Sequence, residues 1–183
     1  SKDAIYFITV ITGNRIHHFG RINDGVMQLN NFGNIVENQI FWLEKQYPYF
    51  ELHNFVIMPN HIHLLFRIDH TKTQDESVKI KSVSSLMGAL KTTTSKQIHL
   101  LENDAFKWHR SFHDHIVRSD LSYDRITHYI TNNPKTKKQN MQIAKEKIKR
   151  IRFIRLEYFI IIDFVLQIHY LILDTLLYLY HGA

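Results

Sequence analysis

Two adjacent runs of β-forming residues, 50–58 and 61–69, place the tightest constraint on the fold of this chain. Only Pro59 and Asn60 separate them, and such a pair favours a turn and does not continue a central strand. The runs therefore predict neighbouring antiparallel strands, around which the chain must build a sheet. The second run carries two histidines where aliphatic side chains would pack better.

Apolar periodicity predicts the rest of the sheet and its cover. Residues 4–12 are apolar on both alternating faces, as expected for a strand buried on both sides. A hairpin follows, with its turn at residues 23–25. Two amphipathic helices are predicted, one over residues 34–47 and one beginning near Ser82, and a last short strand lies within residues 105–119.

A third helix begins at Ser119 or Ser122, either of which can cap it, and should end by Asn133 because Pro134 follows. The order strand, helix, strand, strand, helix, strand predicts an α+β fold. This fold is a ferredoxin-like (RRM-like) split βαβ sandwich with an antiparallel sheet. The first two helices then cover one face of the sheet and leave the other face open.

Composition restricts the classes of function. The chain has 183 residues, of which 44% are apolar and 13% aromatic, enough for a packed domain. It has no cysteine, which excludes disulfides, cysteine-ligated zinc and thiol catalysis and fits a reducing cytoplasm. The first residues read as a strand and not as a secretory signal. The formal net charge of +6 favours a polyanionic partner.

The character of the chain changes near residue 144. We expect a domain over residues 1–143 and a C-terminal apolar helical extension over residues 144–183. Residues 158–180 are long enough to span a bilayer, but polar residues interrupt them and argue against a lipid-exposed helix. These residues are Asp163, Gln167, His169 and Asp174. Such a helix needs burial, against its own domain or against a second copy.

His61 and His63 lie on the same face of the predicted strand, because side chains alternate along it. Ile62 and Leu64 point to the opposite face and into the core. Two neutral imidazoles at this spacing can bind one metal ion. The alternative, which the spacing leaves open, is a pair of half-buried structural rings. A histidine-triad hydrolase would need a third histidine at the position of Leu65.

Tyr129 and Asn133 are four residues apart on the third helix and so lie on one helical face. Ile126 and Ile130 form the adjacent apolar stripe that would hold this helix against the body of the protein. The spacing puts a phenol, which can attack phosphorus, one turn from an amide oxygen, which can bind a cation. The alternative is an ordinary amphipathic helix that Asn133 ends.

The segments MPNHIHLL and YITNNP, roughly sixty residues apart, together resemble the single-tyrosine HUH transposases. The resemblance is to the REP-associated tyrosine transposases and their insertion-sequence relatives in particular. HUH denotes histidine, bulky hydrophobe, histidine, which residues 61–63 satisfy. The segment FKWHRSFHDHIVRSD is also similar to the one that precedes the tyrosine helix in this family. The resemblance covers about residues 4–140.

The resemblance implies a role for each of these residues. His61 and His63 would be two ligands of a divalent cation, Mg or Mn, and Asn133 would stand where the family has a third polar ligand. Tyr129 would be the nucleophile. Tyr123 is the competing tyrosine, but it lies outside the YITNNP pattern and has no good polar partner four residues on.

The implied reaction is the cleavage and rejoining of single-stranded DNA with hairpin ends. A tyrosine oxygen becomes joined to the 5′ phosphate and releases a 3′ hydroxyl, which can later reverse the step without ATP. A cation on a non-bridging oxygen would stabilise the added negative charge. The family often works in pairs, so we expect a homodimer and no small-molecule substrate. The extension over residues 144–183, which the resemblance does not cover, is then the candidate dimer contact.

Binding of single-stranded DNA requires basic groups for phosphates and aromatic groups for stacking. Trp108 and Phe112 are interleaved with basic residues. The candidate DNA contacts are Lys91, Lys96, Lys107, Arg110 and Arg118. The pair His113 and His115 repeats the spacing of the first histidine pair, and is a candidate for a second cation site, a phosphate contact or a local structural role.

Two other functions are compatible with the sequence. A nucleic-acid-binding protein without catalysis could use the same sandwich. A zinc hydrolase could use His61 and His63 together with His113 and His115. The first would form no covalent adduct with DNA, and the second would stay active without Tyr129.

Overall fold

A computed structural model describes residues 3–73, 79–101 and 104–135 of the chain. Its strands and helices follow in chain order as β1 (Ala4–Ile11), β2 (Gly20–Asn23), β3 (Val26–Leu29), α1 (Asn31–Gln46), β4 (Phe50–Met58), β5 (His61–Ile68), α2 (Val83–His99), β6 (His113–Val117) and α3 (120–135). Single 3-10 turns follow β1, at Gly13–Arg15, and β5, at His70–Lys72.

Four strands form one antiparallel sheet in the order β4-β5-β1-β6. With α1 and α2 on one face, this is the split βαβ arrangement, and the predicted α+β fold is confirmed. β2 and β3 form a separate hairpin between β1 and α1. Its turn has positive φ at Asp24 (49°) and Gly25 (78°), a conformation that these residue types adopt at low cost.

Two helix boundaries differ from the prediction. α1 begins at Asn31 and not at residue 34, because the Asn30 side chain accepts a hydrogen bond from the Gly33 N–H at 3.0 Å and caps the helix earlier. The prediction that α3 ends by Asn133 is wrong, since the helix includes Pro134. Proline removes one backbone hydrogen bond, and the packing of α3 on the sheet outweighs that loss.

The main core lies between the sheet and the helices α1 and α2. β5 supplies a row of fully buried side chains on this face, and the two helices supply the side chains that meet them. The row on β5 is Ile62, Leu64, Phe66 and Ile68, and the helices contribute Val36, Ile40, Leu43, Leu86, Met87, Leu90 and Ile98. The alternation that buries this row turns His61 and His63 to the other face.

α3 lies on that other face of the sheet. Ile130 of α3 packs with Leu65 and Val117 in a second, smaller core. The expectation that this face stays open is therefore wrong where α3 covers it, because the face carries apolar side chains of its own that need burial. Ser119 caps α3, since its hydroxyl accepts a hydrogen bond from the Ser122 N–H at 3.3 Å.

Residues 136–183 lie outside the described part of the chain, and with them the predicted domain boundary after residue 143 and the extension over residues 144–183. Within the described part, no helix is both long and apolar enough to cross a membrane.

Candidate active site

His61 is the first residue of β5, and the turn before it orients its ring. The Asn60 Nδ2 donates a hydrogen bond to the Arg15 carbonyl at 3.0 Å, which fixes the amide with its Oδ1 toward His61. The distance from Asn60 Oδ1 to His61 Nδ1 is 2.7 Å. An amide oxygen only accepts hydrogen bonds, so His61 Nδ1 carries the proton and Nε2 carries the lone pair of the neutral ring.

His63 lies on the same face and is only 5% exposed. Its Nδ1 is 2.8 Å from the Oγ1 of Thr9, its pairing partner on β1, and its ring stacks on Phe7 with 5.3 Å between centroids. Burial and, to a lesser extent, His61 lower the pKa of His63 from 6.5 to about 3. The ring is therefore neutral near pH 7, the form in which imidazole binds metals.

Tyr129 brings a phenol from α3 to this pair of rings. Its hydroxyl lies 3.3 Å from His63 Nε2, and its ring meets the His63 ring edge-on at 5.3 Å between centroids. The two imidazoles are themselves 4.8 Å apart between centroids. The Tyr129 side chain is 48% exposed and so remains accessible. One chain thus brings the phenol and the imidazoles together.

Asn133 lies one turn beyond Tyr129 and is 7% exposed. Its Nδ2 is buried, with no hydrogen-bond partner within the described residues, a situation that costs about 1–3 kcal/mol. Rotation of the amide by half a turn would put Oδ1 there instead, where a cation would satisfy it. By their chemistry, two imidazoles and an amide oxygen are a donor set that suits a divalent metal.

A three-ligand metal site at this pair of histidines would need the side-chain amide of Asn133. Among the residues that the structure describes, no group of three or more histidine, aspartate and glutamate side chains is arranged to hold a metal ion. His113 and His115 lie on β6 with exposed side chains. A phosphate contact by this second pair stays a prediction.

Tyr123, the competing tyrosine, has a different partner. Its hydroxyl lies 3.1 Å from Nδ1 of His53 on β4, with 5.6 Å between the ring centroids. The structure therefore brings Tyr129, and not Tyr123, to His61 and His63.

Four of the five predicted DNA contacts line one open groove of about 830 Å³ between α2 and the segment before β6. These four are Lys91, Lys96, Lys107 and Arg110. The Lys91 ammonium donates to the backbone carbonyls of residues 109, 110 and 111 at 3.0, 3.2 and 3.3 Å, and burial lowers its pKa. Lys91 therefore holds this loop in place. Arg118 lies elsewhere, in a cavity beside His115.

The two aromatic residues near these basic groups have structural contacts. Trp108 is 9% exposed and packs against Phe19 and Phe106 in the main core. Phe112 lies under the Lys91 ammonium, which is 5.6 Å from the ring centroid. Stacking of a base on either ring stays a prediction.

Sequence reasoning missed the groups that orient the imidazoles. The sequence identifies Asn60 only as a turn residue, although its place directly before the histidine pair is a signal for a second role. Thr9 lies 54 residues from His63 in the sequence, and only the register of β1 against β5 brings the two together. The contact of Phe7 with the His63 ring depends on the same register. No short stretch of sequence carries a signal for such a register.

Comparisons with known proteins agree with the resemblance. The model of a family described as "Transposase IS200 like" matches residues 36–133, which include both histidines, Tyr129 and Asn133. An uncharacterized protein of Haemophilus influenzae is 30% identical over 150 residues, which cover 73% of this chain and 81% of that protein. A solved structure of a REP-associated tyrosine transposase bound to a REP hairpin is similar in fold. Its TM-score is 0.54 and its identity 20%, over 74% of this chain and 69% of that chain.

Proposed function

The chain belongs to the IS200-like transposase family, and we propose that it cleaves and rejoins single-stranded DNA through a covalent intermediate. Tyr129 is the proposed nucleophile, and it becomes joined to the 5′ phosphate. His61, His63 and Asn133 are the proposed ligands of a divalent metal, Mg or Mn.

One observation carries the proposal. The Tyr129 hydroxyl lies 3.3 Å from Nε2 of His63, so the nucleophile and a metal ligand are neighbours. The proposed metal would bind the reacting phosphate, so a nucleophile held beside its ligand is already close to that phosphate. This proximity speeds the reaction, because less orientational freedom is lost.

Hydrogen bonds within the protein orient the two proposed histidine ligands. Asn60 and Thr9 lie at the Nδ1 atoms of the two rings, so the rings would bind the proposed metal through their Nε2 atoms. The lowered pKa of His63 keeps this ring unprotonated near neutral pH. When bound, the metal supplies Lewis acidity at a non-bridging phosphate oxygen. Two imidazoles suit Mn better than Mg.

In the proposed step, the Tyr129 oxygen forms a bond to phosphorus, and the bond between phosphorus and the 3′ oxygen of the preceding nucleotide breaks. The phenol proton passes to water, and the departing 3′ oxygen takes up a proton to become a hydroxyl. The phosphotyrosine ester preserves the energy of the broken bond. A 3′ hydroxyl can therefore reverse the step and join strands without a nucleotide cofactor.

The proposed partner is single-stranded DNA with hairpin ends. A similarly folded REP-associated tyrosine transposase is bound to a REP hairpin in its solved structure, and this chain has a net charge of +6. Lys96, Lys107 and Arg110 line one groove and are the proposed phosphate contacts there, with Arg118 as a separate contact. A homodimer remains the expectation from the family resemblance, and a cytoplasmic location the expectation from the absence of cysteine.

The test is covalent capture on a denaturing gel. The full chain is incubated with Mn²⁺ and a pool of single strands, each with a hairpin flanked by randomised nucleotides. DNA labelled at its 3′ end should migrate with the denatured protein, whereas DNA labelled at its 5′ end should not, because the protein keeps the 5′ phosphate. EDTA should abolish the adduct.

Two matched variants assign the nucleophile. Tyr129→Phe should form no adduct and should still bind the hairpin pool, while Tyr123→Phe should still form the adduct. An adduct from Tyr129→Phe would show that another residue attacks. Binding without any adduct in the wild-type chain would favour the alternative, a nucleic-acid-binding protein without catalysis.

A further inference from the structure

β4 carries a β-bulge next to α3. Leu52 pairs with Phe66 and Asn54 pairs with Leu65, so His53 is an extra residue without a partner of its own on β5. His53 and Asn54 both contact α3, which places two consecutive polar side chains on one face of the sheet. A regular strand would turn them to opposite faces.

The first contact joins His53 to the start of α3. The Tyr123 hydroxyl is 3.1 Å from His53 Nδ1. On the other side of the ring, a Glu51 oxygen lies 3.9 Å from Nε2 and favours the proton there. His53 Nδ1 and the Tyr123 hydroxyl share one hydrogen bond, which joins β4 to the first turn of α3. Lys72 lies 3.1 Å from the second Glu51 oxygen and holds that carboxylate.

The second contact joins Asn54 to the middle of α3. Its Nδ2 lies 3.3 Å from the Thr131 hydroxyl and 3.5 Å from the Thr127 carbonyl. The Thr131 hydroxyl donates its own proton to the same Thr127 carbonyl at 2.9 Å, which leaves its lone pairs to accept from Asn54. Both of these hydrogen bonds come from the Asn54 amide, and their acceptors lie on one turn of α3.

Tyr123, Thr127 and Thr131 recur every four residues and so form one edge of α3, the edge toward β4. Apolar packing also holds this helix, since Ile130 is buried and Tyr123 and Ile126 are partly buried against the same small core. Polar contacts on two successive turns restrict both rotation and sliding. A shift by one residue would turn each side chain of α3 by about 100°.

We propose that the bulge of β4 is a positioning device that sets the rotation and height of α3 and so holds the Tyr129 hydroxyl at His63. The inference rests on the proposed role of Tyr129 as nucleophile. His53 and Asn54 are positioning residues, since they act through Tyr123, Thr127 and Thr131. The bulge itself is not needed for the sheet, because Leu52 and Asn54 already pair with consecutive residues of β5.

This pairing allows a direct test in the full chain. Deletion of His53 should remove the bulge and leave β4 regular. All remaining side chains of the strand should stay on their present faces. A second variant combines His53→Ala with Asn54→Ala, which keeps the length of β4 and removes both polar contacts. A third variant, His53→Gln, offers a replacement hydrogen-bond partner for the Tyr123 hydroxyl. Ile40→Val is the control, because it removes one methylene from the main core on the other face. It should lower Tm by about 2–4 °C without touching α3.

Two measurements separate positioning from general stability. The first is the set of NMR cross-peaks between the Tyr129 and Phe7 rings, whose centroids are 6.3 Å apart. The second is the rate of adduct formation with saturating hairpin DNA. We expect the double variant to lose the cross-peaks and to slow the adduct about a hundredfold, with little change in DNA affinity. The deletion removes only the contact of His53 and keeps Asn54 in place, so it should weaken the cross-peaks and slow the adduct less. His53→Gln should recover part of the rate, and Ile40→Val should retain the wild-type values.

Retained cross-peaks and rate in the deletion and the double variant would overturn the proposal, and so would an equal loss of rate in Ile40→Val. The cross-peaks do not depend on catalysis. If the wild-type chain forms no adduct at all, the proposed function fails while the cross-peaks still decide whether the bulge positions α3.

Discussion

The same strands make both faces of the sheet, but the two faces differ in the side chains that they carry and in how these are held. On one face, Ile62 and Leu64 are fully buried beneath α1 and α2, and no polar group of β5 interrupts their row. On the other face, His61 and His63 alternate with them beside α3, and each ring has a polar partner at Nδ1. Neighbouring residues of one strand thus contribute either to the main core or to the proposed active site.

The difference between the faces has a physical cause. The apolar face gains free energy in proportion to its buried area, and many arrangements of similar volume would give the same gain. The imidazoles on the other face gain little free energy from buried area, because a buried polar atom only avoids a penalty when its partner is in place. The first face therefore tolerates repacking, whereas the second depends on individual hydrogen bonds.

Substitutions at adjacent residues of β5 should show the largest difference between the two faces. Leu64→Ala should lower the free energy of unfolding by about 2–5 kcal/mol, because it leaves a cavity in the main core. His63→Ala should cost less, about 1–2 kcal/mol, but should leave no detectable DNA adduct. Urea denaturation and covalent capture give the two quantities.

His61→Ala is the control for that pair, because it removes the other proposed ligand at the start of the strand. It should abolish the adduct as well. Normal adduct formation by folded His63→Ala would contradict the assignment of the imidazoles to the metal. Loss of adduct by Leu64→Ala at a temperature at which it is fully folded would contradict the separation of the two faces.

The pKa of His63 predicts a pH dependence that the apolar face cannot have. Above pH 6.5 the ring is neutral in the folded and unfolded chain, and its contribution to stability is fully present. Between pH 6.5 and about 3, the unfolded chain binds a proton that the folded chain excludes. The free energy of unfolding should therefore fall with falling pH, by up to about 1.4 kcal/mol per pH unit.

Urea midpoints of the metal-free chain at pH 7 and pH 5 measure this dependence, and His63→Ala should show a weaker one. Burial also lowers the pKa values of His18 and His53, so these rings add a dependence of the same sign. Equal slopes in the wild-type chain and in His63→Ala would mean that His18 and His53 carry the effect.

The sequence predicts the apolar face better than the face of the imidazoles. Strand and helix periodicity locate β4, β5 and α2 closely, because a residue such as Leu64 is buried by a rule that any apolar residue satisfies. The relation of Tyr129 to His63 is reached only through the family resemblance. Thr9, His53 and Asn54 depend on strand register and on a bulge, and these follow from tertiary pairing that no short sequence window contains.

Thr9→Val tests a single hydrogen bond on the face of the imidazoles. The variant keeps the shape of the side chain and removes the oxygen at Nδ1 of His63. The ring should then lose its fixed orientation, and we expect about tenfold weaker Mn²⁺ binding by calorimetry. The control is Thr93→Val on α2, whose hydroxyl donates to the Ala89 carbonyl at 2.9 Å, away from the site. Equal affinity in Thr9→Val and Thr93→Val would show that Thr9 does not tune the ring.

The smallest predicted effect separates two threonines of α3 that lie one turn apart. The Thr127 hydroxyl is buried and has no hydrogen-bond partner within the described residues, whereas the Thr131 hydroxyl donates to the Thr127 carbonyl and accepts from Asn54. Thr127→Val should stabilise the chain by up to about 1 kcal/mol, because a methyl group of similar shape replaces an unsatisfied hydroxyl. Thr131→Val should destabilise it by a similar amount. Thermal denaturation followed by circular dichroism measures both, and a loss of stability in Thr127→Val would show that this hydroxyl has a partner in solution.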